Sequence, residues 1–297
     1  MTQNDNMRNV GAKSPAGKPG KVATSDDFSP RHMKKGPALG KKRSITVLAV
    51  VLVVLIVGVL ACVGYMAWQK SELDRSAQEI NAQPVPETPA QTTSTDDRME
   101  NPIDFASLKV ENPDIYAWIY IPNTNINLPV LQHLTDDNFY LDHNVNGDYA
   151  VEGAIYSQSL NATDFSDPVT LLYGHNLLNN TMFTQLHYFE NADFFNENEL
   201  MYLYTPGHIL TYRIISAYQY DDRHILNSFN FSDPAVTQSY FDYVANPDAL
   251  ICNVRPDVKL DASTDKIVQL STCVSGSSSS NRRYIVSGVL TDDQATF

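Results

Sequence analysis

The sequence predicts a mainly β extracytoplasmic domain preceded by a single N-terminal transmembrane helix. Three observations support this prediction: a long uncharged stretch near the N-terminus, about eight short apolar segments with strand-like alternation after residue 99, and few segments of helical period. Short strands at this spacing are typical of one antiparallel-rich barrel or sandwich. The predicted organisation is a basic tail (1–44), a transmembrane helix (45–68), a stalk and linker (69–98) and a folded domain (99–297).

Charge is distributed unevenly along the chain. Residues 1–44 contain ten Lys or Arg and three Asp, a net charge of +7, so the remainder carries −20 of a total of −13. A basic segment rich in Gly, Pro and Ser, with no apolar period, is typical of a disordered tail near anionic lipid head groups. The acidic remainder argues against nucleic acid as a partner.

The 24 residues from 45 to 68 contain no charged side chain. As an α-helix they span about 36 Å, enough to cross a hydrocarbon core of about 30 Å. A cleaved signal peptide is the alternative, but the apolar run is too long and Ala61-Cys62-Val63-Gly64 is a weak cleavage site. Lys41-Lys42-Arg43 precedes the helix, so the positive-inside rule places the N-terminus in the cytoplasm and the acidic domain outside the cell.

The folded domain begins near Met99, after a Pro- and Thr-rich linker at 83–97. Strands are expected at residues 117–121, 126–131, 153–157, 169–173, 200–204, 209–220, 267–273 and 284–290. Pro129 indicates that the second of these strands lies at a sheet edge or a bend. A helical turn is expected at 137–143, a short helix at 182–189, and a helix at 234–245 with Asp233 as N-cap and Pro234 at its first position.

Cys273 ends one apolar alternating segment, and Arg282 and Arg283 begin the next. Neighbouring strands would place a thiol beside a fixed cation, and a thiol attacks carbonyl groups as the thiolate. The chain has three cysteines, of which Cys62 lies in the transmembrane segment. A Cys252–Cys273 disulfide is the alternative, but one bridge adds little to a core of this size.

His175 differs from the other six histidines because it ends the apolar segment 169–173, after a glycine that allows irregular backbone. The other histidines lie in polar or loop settings. Taken alone, a strand-end histidine is more often structural than catalytic, but the thiol and the basic pair favour a catalytic acid or base. The spacing of His and Cys residues does not indicate a zinc site, and no metal or other cofactor is predicted.

Several segments together resemble sortases, the membrane-anchored cysteine transpeptidases of Gram-positive bacteria. The three main ones are Tyr173-Gly174-His175-Asn176, Leu270-Ser271-Thr272-Cys273 and Arg283-Tyr284-Ile285-Val286. Residues 137–141, 153–156 and 181–183, and the helix expected before the cysteine strand, resemble class B members more closely. The resemblance covers about residues 100–290.

This resemblance implies an eight-stranded sortase barrel with its site in a groove at one end. Cys273 would attack the peptide bond of a C-terminal sorting signal in a surface protein and form a thioester, and His175 would protonate the leaving amine and deprotonate the incoming one. That amine would come from a lipid-linked peptidoglycan precursor, or from a pilin lysine. The oxyanion or the substrate backbone would be bound by Arg283 rather than Arg282, because the family arginine directly precedes an aromatic or apolar residue and a Val-rich run.

Neighbours of these residues are candidates for substrate binding. Thr272 is one candidate because its hydroxyl lies beside the nucleophile in the sequence. Asn176, which follows His175, is the second candidate.

Three other functions remain open. A hydrolytic cysteine protease is disfavoured because an arginine stands where an orienting Asn or Asp is expected. A non-catalytic adhesion module would not need the thiol. A pilin-polymerising class C enzyme usually has an Asp-Pro-aromatic lid, which residues 81–115 do not contain.

Overall fold

A computed structural model describes residues 41–81, 99–274 and 281–297. The helices are α1 (Lys41–Asn81), α2 (Phe105–Glu111), α3 (Ala192–Glu197), α4 (Ile225–Ser228) and α5 (Pro234–Ala245), with 3-10 helices η1 (Phe139–Leu141) and η2 (Thr184–Glu190). The strands are β1 (Ile115–Tyr120), β2 (Asn127–Leu131), β3 (Ile155–Tyr156), β4 (Val169–Tyr173), β5 (Leu200–Thr205), β6 (His208–Asp221), β7 (Cys252–Val254), β8 (Ile267–Cys273) and β9 (Arg282–Ala295). Most of the predicted basic tail (1–40) and linker (82–98), and the loop at 275–280, lie outside the described residues.

Helix α1 contains an apolar segment long enough to cross a membrane. The segment, Val47–Ser71, has 25 residues, and its most apolar 18-residue stretch has a mean hydropathy of 3.3. The helix continues through the predicted stalk as far as Asn81. Within the described residues this is the one candidate for a membrane span.

Eight of the nine strands in the described residues close into a barrel. Around the ring the order is β5-β1-β2-β3-β4-β8-β9-β6, and β6 pairs with β5 to complete it. Strand β7 lies outside the ring and pairs with β6 through residues 252–254. The predicted eight-stranded barrel is therefore confirmed, with β7 as an additional strand that the sequence did not reveal.

The barrel is mostly antiparallel, but β2–β3 and β4–β8 are parallel. Strand β2 lies inside the ring, so of the two alternatives indicated by Pro129, a sheet edge or a bend, the sheet edge is wrong. Its pairing with β3 is limited to Val130 and Leu131, so Pro129 precedes this ladder and needs no N–H for it. The 3-10 helix η2 stands where a short helix was predicted at 182–189.

Strands β8 and β9 are buried on both faces. Leu270, Tyr284 and Val286 face the barrel interior, where they join the largest apolar cluster. Ile285 faces outward, into a second cluster that α5 covers with residues such as Phe241. Full burial of one large apolar side chain contributes about 1.5–3 kcal/mol, so this two-sided packing holds the two strands firmly.

Helix α5 occupies the predicted residues, 234–245. Asp233 caps it by accepting a hydrogen bond from the N–H of Ala235, and Pro234 occupies the first turn. Strand β9 extends to Ala295, further than predicted, because its polar last residues pair with the start of β6 instead of entering the core.

Candidate active site

The ends of three neighbouring strands meet at one end of the barrel. Strands β4 and β8 are parallel, so their C-terminal ends lie side by side, and β9 begins at the same end because it is antiparallel to β8. His175 follows β4, Cys273 ends β8 and Arg283 is the second residue of β9. The topology therefore brings together three residues that are far apart in the sequence.

Cys273 and Arg283 are direct cross-strand partners. Such partners have Cβ atoms about 4.5–5.5 Å apart. Both residues line a cavity of about 260 Å³ together with His175. Arg282, which pairs with Asp221, lines a different cavity. The two arginines thus serve different faces, as expected for adjacent residues in a strand.

The imidazole of His175 is held by a backbone carbonyl. Its Nε2 lies 2.6 Å from the carbonyl oxygen of Leu141, the last residue of the 3-10 helix η1. A carbonyl only accepts hydrogen bonds, so Nε2 carries the proton and the neutral ring keeps its lone pair on Nδ1. This contact fixes the tautomer and the orientation of the ring.

Gly174 is required for space. A Cβ atom there would lie 2.5 Å from Cδ1 of Ile155 and 2.7 Å from Cδ2 of Phe183. Its φ lies outside the left-handed region, so the glycine serves here for lack of a side chain and not for a left-handed conformation. Because residue 174 has no side chain, the backbone before His175 can lie close to the side chains of the barrel core.

Two side chains contact the backbone carbonyl oxygen of Cys273. Nδ2 of Asn176 donates to this oxygen at 3.0 Å, and Nε2 of His187 lies 3.0 Å from it. Nδ1 of His187 lies 2.7 Å from the carboxylate of Glu190, and the ring stacks on Tyr284 at 4.9 Å. The strand end that carries the thiol is therefore anchored to η2, a contact that the polar surroundings of His187 in the sequence did not reveal.

The structure also describes the two residues predicted to bind substrate. The amide of Asn176 is engaged by the backbone of Cys273. Thr272 contributes to the lining of the cavity at Cys273, but it is only 2% exposed and pairs with Tyr284. Its hydroxyl has no hydrogen-bond partner among the described residues. These positions favour supporting the nucleophile over direct substrate contact, which stays a prediction for both residues.

Two stacked tyrosines form one wall of the cavity. The rings of Tyr156 and Tyr173 lie 5.4 Å apart. Burial raises the pKa of Tyr156 to about 12, although the nearby charge of Arg283 opposes the shift. Burial also raises the pKa of Tyr173. Both hydroxyls therefore stay neutral at physiological pH and can donate hydrogen bonds.

The end of β6 and the segment after it also line the cavity. Nε2 of His224 lies 2.6 Å from Oε1 of Gln158, and both residues line the cavity. Asp221, the last residue of β6, and Asp222 line it too, so two carboxylates lie at the same cavity as Arg283. The contribution of this segment was not visible in the sequence because no period or motif marks it.

The cysteines are unpaired, all three lying within the described residues. This excludes the Cys252–Cys273 disulfide in this structure and leaves the Cys273 thiol free for chemistry. Within residues 41–81, 99–274 and 281–297, no group of three or more His, Cys, Asp or Glu side chains is placed to hold a metal ion.

A family model described as the sortase domain matches residues 119–291, more than half of the chain. The chain belongs to the sortase family. Its predicted resemblance is thereby confirmed, and His175, Cys273 and Arg283 all lie within the matched residues. Sortases are cysteine transpeptidases, so the chain is an enzyme of that kind.

Among sortases, the chain is most like class B members. It is 25% identical over 247 residues to sortase B of Listeria monocytogenes, covering 80% of this chain and 95% of the relative. The crystal structure of Clostridium perfringens sortase B is 33% identical and has a TM-score of 0.56, covering 63% of this chain and 99% of that one. A Staphylococcus aureus sortase B–substrate complex is 25% identical with a TM-score of 0.54, covering 63% of this chain and 84% of that one.

Proposed function

We propose that this sortase is anchored in the cell membrane by α1 and joins surface proteins to an amine outside the cell. Its donor substrate is the C-terminal sorting signal of a surface protein, and its acceptor is the amine of a lipid-linked peptidoglycan precursor. The observation that carries the proposal is the convergence of Cys273, His175 and Arg283 around one cavity. A pilin lysine is the alternative acceptor, because it presents the same primary amine.

The first half of the reaction forms a thioester. The Cys273 thiolate attacks the carbonyl carbon of the scissile peptide bond, so a C–S bond forms and the C–N bond breaks. His175 takes the thiol proton on Nδ1 and then gives that proton to the departing amine. The guanidinium of Arg283, one strand away from the sulfur, donates hydrogen bonds to the oxyanion or to the substrate backbone.

The second half of the reaction resolves the thioester. The nitrogen of a primary amine attacks the thioester carbonyl, a C–N bond forms and the C–S bond breaks, leaving the Cys273 thiolate. His175 takes the proton that the amine loses. Water in place of the amine gives hydrolysis, which is the activity of the alternative cysteine protease.

Membrane anchoring is supported by α1. The 25-residue segment Val47–Ser71 would span about 37 Å as a helix. The basic residues before it favour a cytoplasmic N-terminus, which places the catalytic domain at the outer membrane face. A lipid-linked acceptor is found at the same face.

Mass spectrometry of the full chain in detergent tests the proposal. The chain is mixed with a panel of sorting-signal peptides, with and without an amine. We expect a thioester adduct on Cys273 that the amine converts to a ligated product, and no adduct in Cys273→Ala. Turnover that is indifferent to amine would favour the protease.

The two adjacent arginines provide a matched pair of variants. Arg283→Ala should lower the rate of thioester formation about 100-fold, in the range found for loss of an oxyanion donor. Arg282→Ala should change that rate less than threefold, because Arg282 lines a different cavity. The reverse order would move the proposed role to Arg282.

A further inference from the structure

A second and larger cavity lies beside α5, and we call it the α5 cleft. Its volume is about 1030 Å³, against about 260 Å³ for the cavity at Cys273. The exposed side of α5 (Val236, Ser239 and Tyr243), the ends of β6 and β9, and residues 248–250 form its walls. Ligand sites in proteins usually measure about 300–1,000 Å³, so the catalytic cavity is small for two substrates and the α5 cleft has room for one.

The α5 cleft and the catalytic cavity share a wall. Tyr220, Asp221 and Arg223 line both. The guanidinium of Arg223 lies 5.4 Å from the centre of the Tyr220 ring, and its Nε donates to both carboxylate oxygens of Asp221 at 2.8 and 2.9 Å. Contacts of Arg223 with the other two residues thus stabilise the shared wall, and both cavities border it.

The strand register gives the distance between the thiol and the shared wall. Cys273 pairs with Arg283, and Arg283 pairs with Tyr220. Adjacent strands lie about 4.8 Å apart, so Tyr220 is about 10 Å from Cys273 across two strands. An extended peptide advances about 3.3–3.6 Å per residue, so about three residues reach from the wall to the thiol.

The lining of the α5 cleft is amphipathic. Tyr220 and Tyr243 are half-buried with their rings 5.7 Å apart, and Leu250, at the cleft, is 98% exposed. Arg282 and Asp248 add one charge of each sign. Charges of both signs beside aromatic rings suit a peptide, whose amides and side chains need both kinds of contact, and disfavour a lipid chain.

We propose that the α5 cleft binds the acceptor substrate, as a short peptide whose free primary amine extends about 10 Å across the shared wall to the thioester on Cys273. This inference rests on the proposed function. The peptide nitrogen attacks the thioester carbonyl, the C–N bond forms, the C–S bond breaks, and His175 takes the proton. A small amine reaches the same carbon without the cleft.

The test compares two amines in the full chain in detergent. Triglycine is the peptide probe and hydroxylamine is the small one, and the rate of discharge of the preformed Cys273 thioester is measured at rising concentrations of each. Ser239→Trp fills the cleft, and Tyr243→Ala removes an aromatic wall. Ser232→Trp is the matched control, since residue 232 is exposed and lies outside the cleft.

In the wild-type chain, discharge by triglycine should saturate and discharge by hydroxylamine should rise linearly. Ser239→Trp and Tyr243→Ala should lower the triglycine rate at least tenfold, while thioester formation, hydroxylamine discharge and the control variant change less than twofold. A linear triglycine dependence in the wild type, or cleft variants that behave like Ser232→Trp, would overturn the proposal and leave the proposed function standing. A wild-type chain that forms no thioester would remove both.

Discussion

His187 lies behind the strand end that carries Cys273, and its replacement measures how much that strand end depends on it. His187→Ala loses the 3.0 Å contact with the Cys273 carbonyl, the 2.7 Å pair with Glu190 and the 4.9 Å stack on Tyr284. A hydrogen bond contributes about 1 kcal/mol, a partly exposed ion pair less than about 1 kcal/mol, and a ring pair about 0.5–1.5 kcal/mol. We expect the free energy of unfolding to fall by about 2 kcal/mol.

His208 provides the matched control. Its Nδ1 lies at the same 2.7 Å from a carboxylate, that of Asp293, but the imidazole is 51% exposed and lies at the start of β6. His208→Ala should therefore cost less than about 1 kcal/mol, as surface pairs usually do. Urea unfolding of the full chain in detergent, followed by tryptophan fluorescence, measures both variants on the same scale.

The catalytic effect of the same change is distinct from its effect on stability. In His187→Ala the carbonyl of Cys273 keeps only the Asn176 contact, so the sulfur is held less firmly. We expect the rate of thioester formation at saturating peptide to fall about tenfold, which corresponds to about 1.4 kcal/mol, with KM unchanged. His187→Gln, whose amide can donate to the same carbonyl, should recover part of that rate. If His187→Ala and His208→Ala matched in both stability and rate, the reasoning would be wrong.

Three further changes test the packing around the site. Gly174→Ala places a Cβ against Ile155 and should destabilise the fold by about 1–3 kcal/mol; an unchanged thermal midpoint would contradict the lack of space. Arg255→Met should cost about 1–3 kcal/mol in urea unfolding, because the 7% exposed guanidinium donates to the carbonyl of Phe195 at 2.6 Å and its loss leaves that acceptor unsatisfied; an unchanged free energy of unfolding would refute this. The folded-state pKa of Tyr156 is about 12, above its unfolded value near 10, so its contribution is complete below pH 10 and is lost as pH rises towards 12. At about 1.4 kcal/mol per pKa unit this is on the order of 3 kcal/mol at most, and a free energy of unfolding that stays constant from about pH 9 to about pH 11.5 would exclude it.

The strand ends were predictable from the sequence because each is an apolar alternating run that stops at a chemically distinctive residue. The run at 169–173 ends before His175, that at 267–273 ends at Cys273, and the next begins at Arg283. The order of strands in the barrel was not predictable from alternation alone, since alternation shows which face a residue takes and not which strand lies beside it. The resemblance to sortases implied an eight-stranded barrel, and the structure supplied the order of its strands.

Most of the features of the site that the sequence did not predict are polar contacts between residues that are far apart in the chain. His187 is 86 residues from Cys273, and His224 is 66 residues from Gln158, yet both pairs lie within hydrogen-bond distance. No local pattern marks such a partner, because each histidine lies in an ordinary polar segment. The α5 cleft was equally invisible, since it exists only where α5 and the ends of β6 and β9 come together.

The register between β8 and β9 joins the stability of the barrel to its chemistry. A shift of one residue would pair Cys273 with Arg282 or Tyr284 instead of Arg283, and would turn every side chain of one strand to the opposite face. Tyr284 faces the apolar cluster inside the barrel and Ile285 the cluster outside it, so the shift would exchange their surroundings and turn the guanidinium of Arg283 towards the core. The same packing that stabilises the barrel therefore selects Arg283 over Arg282 as the cation beside the thiol.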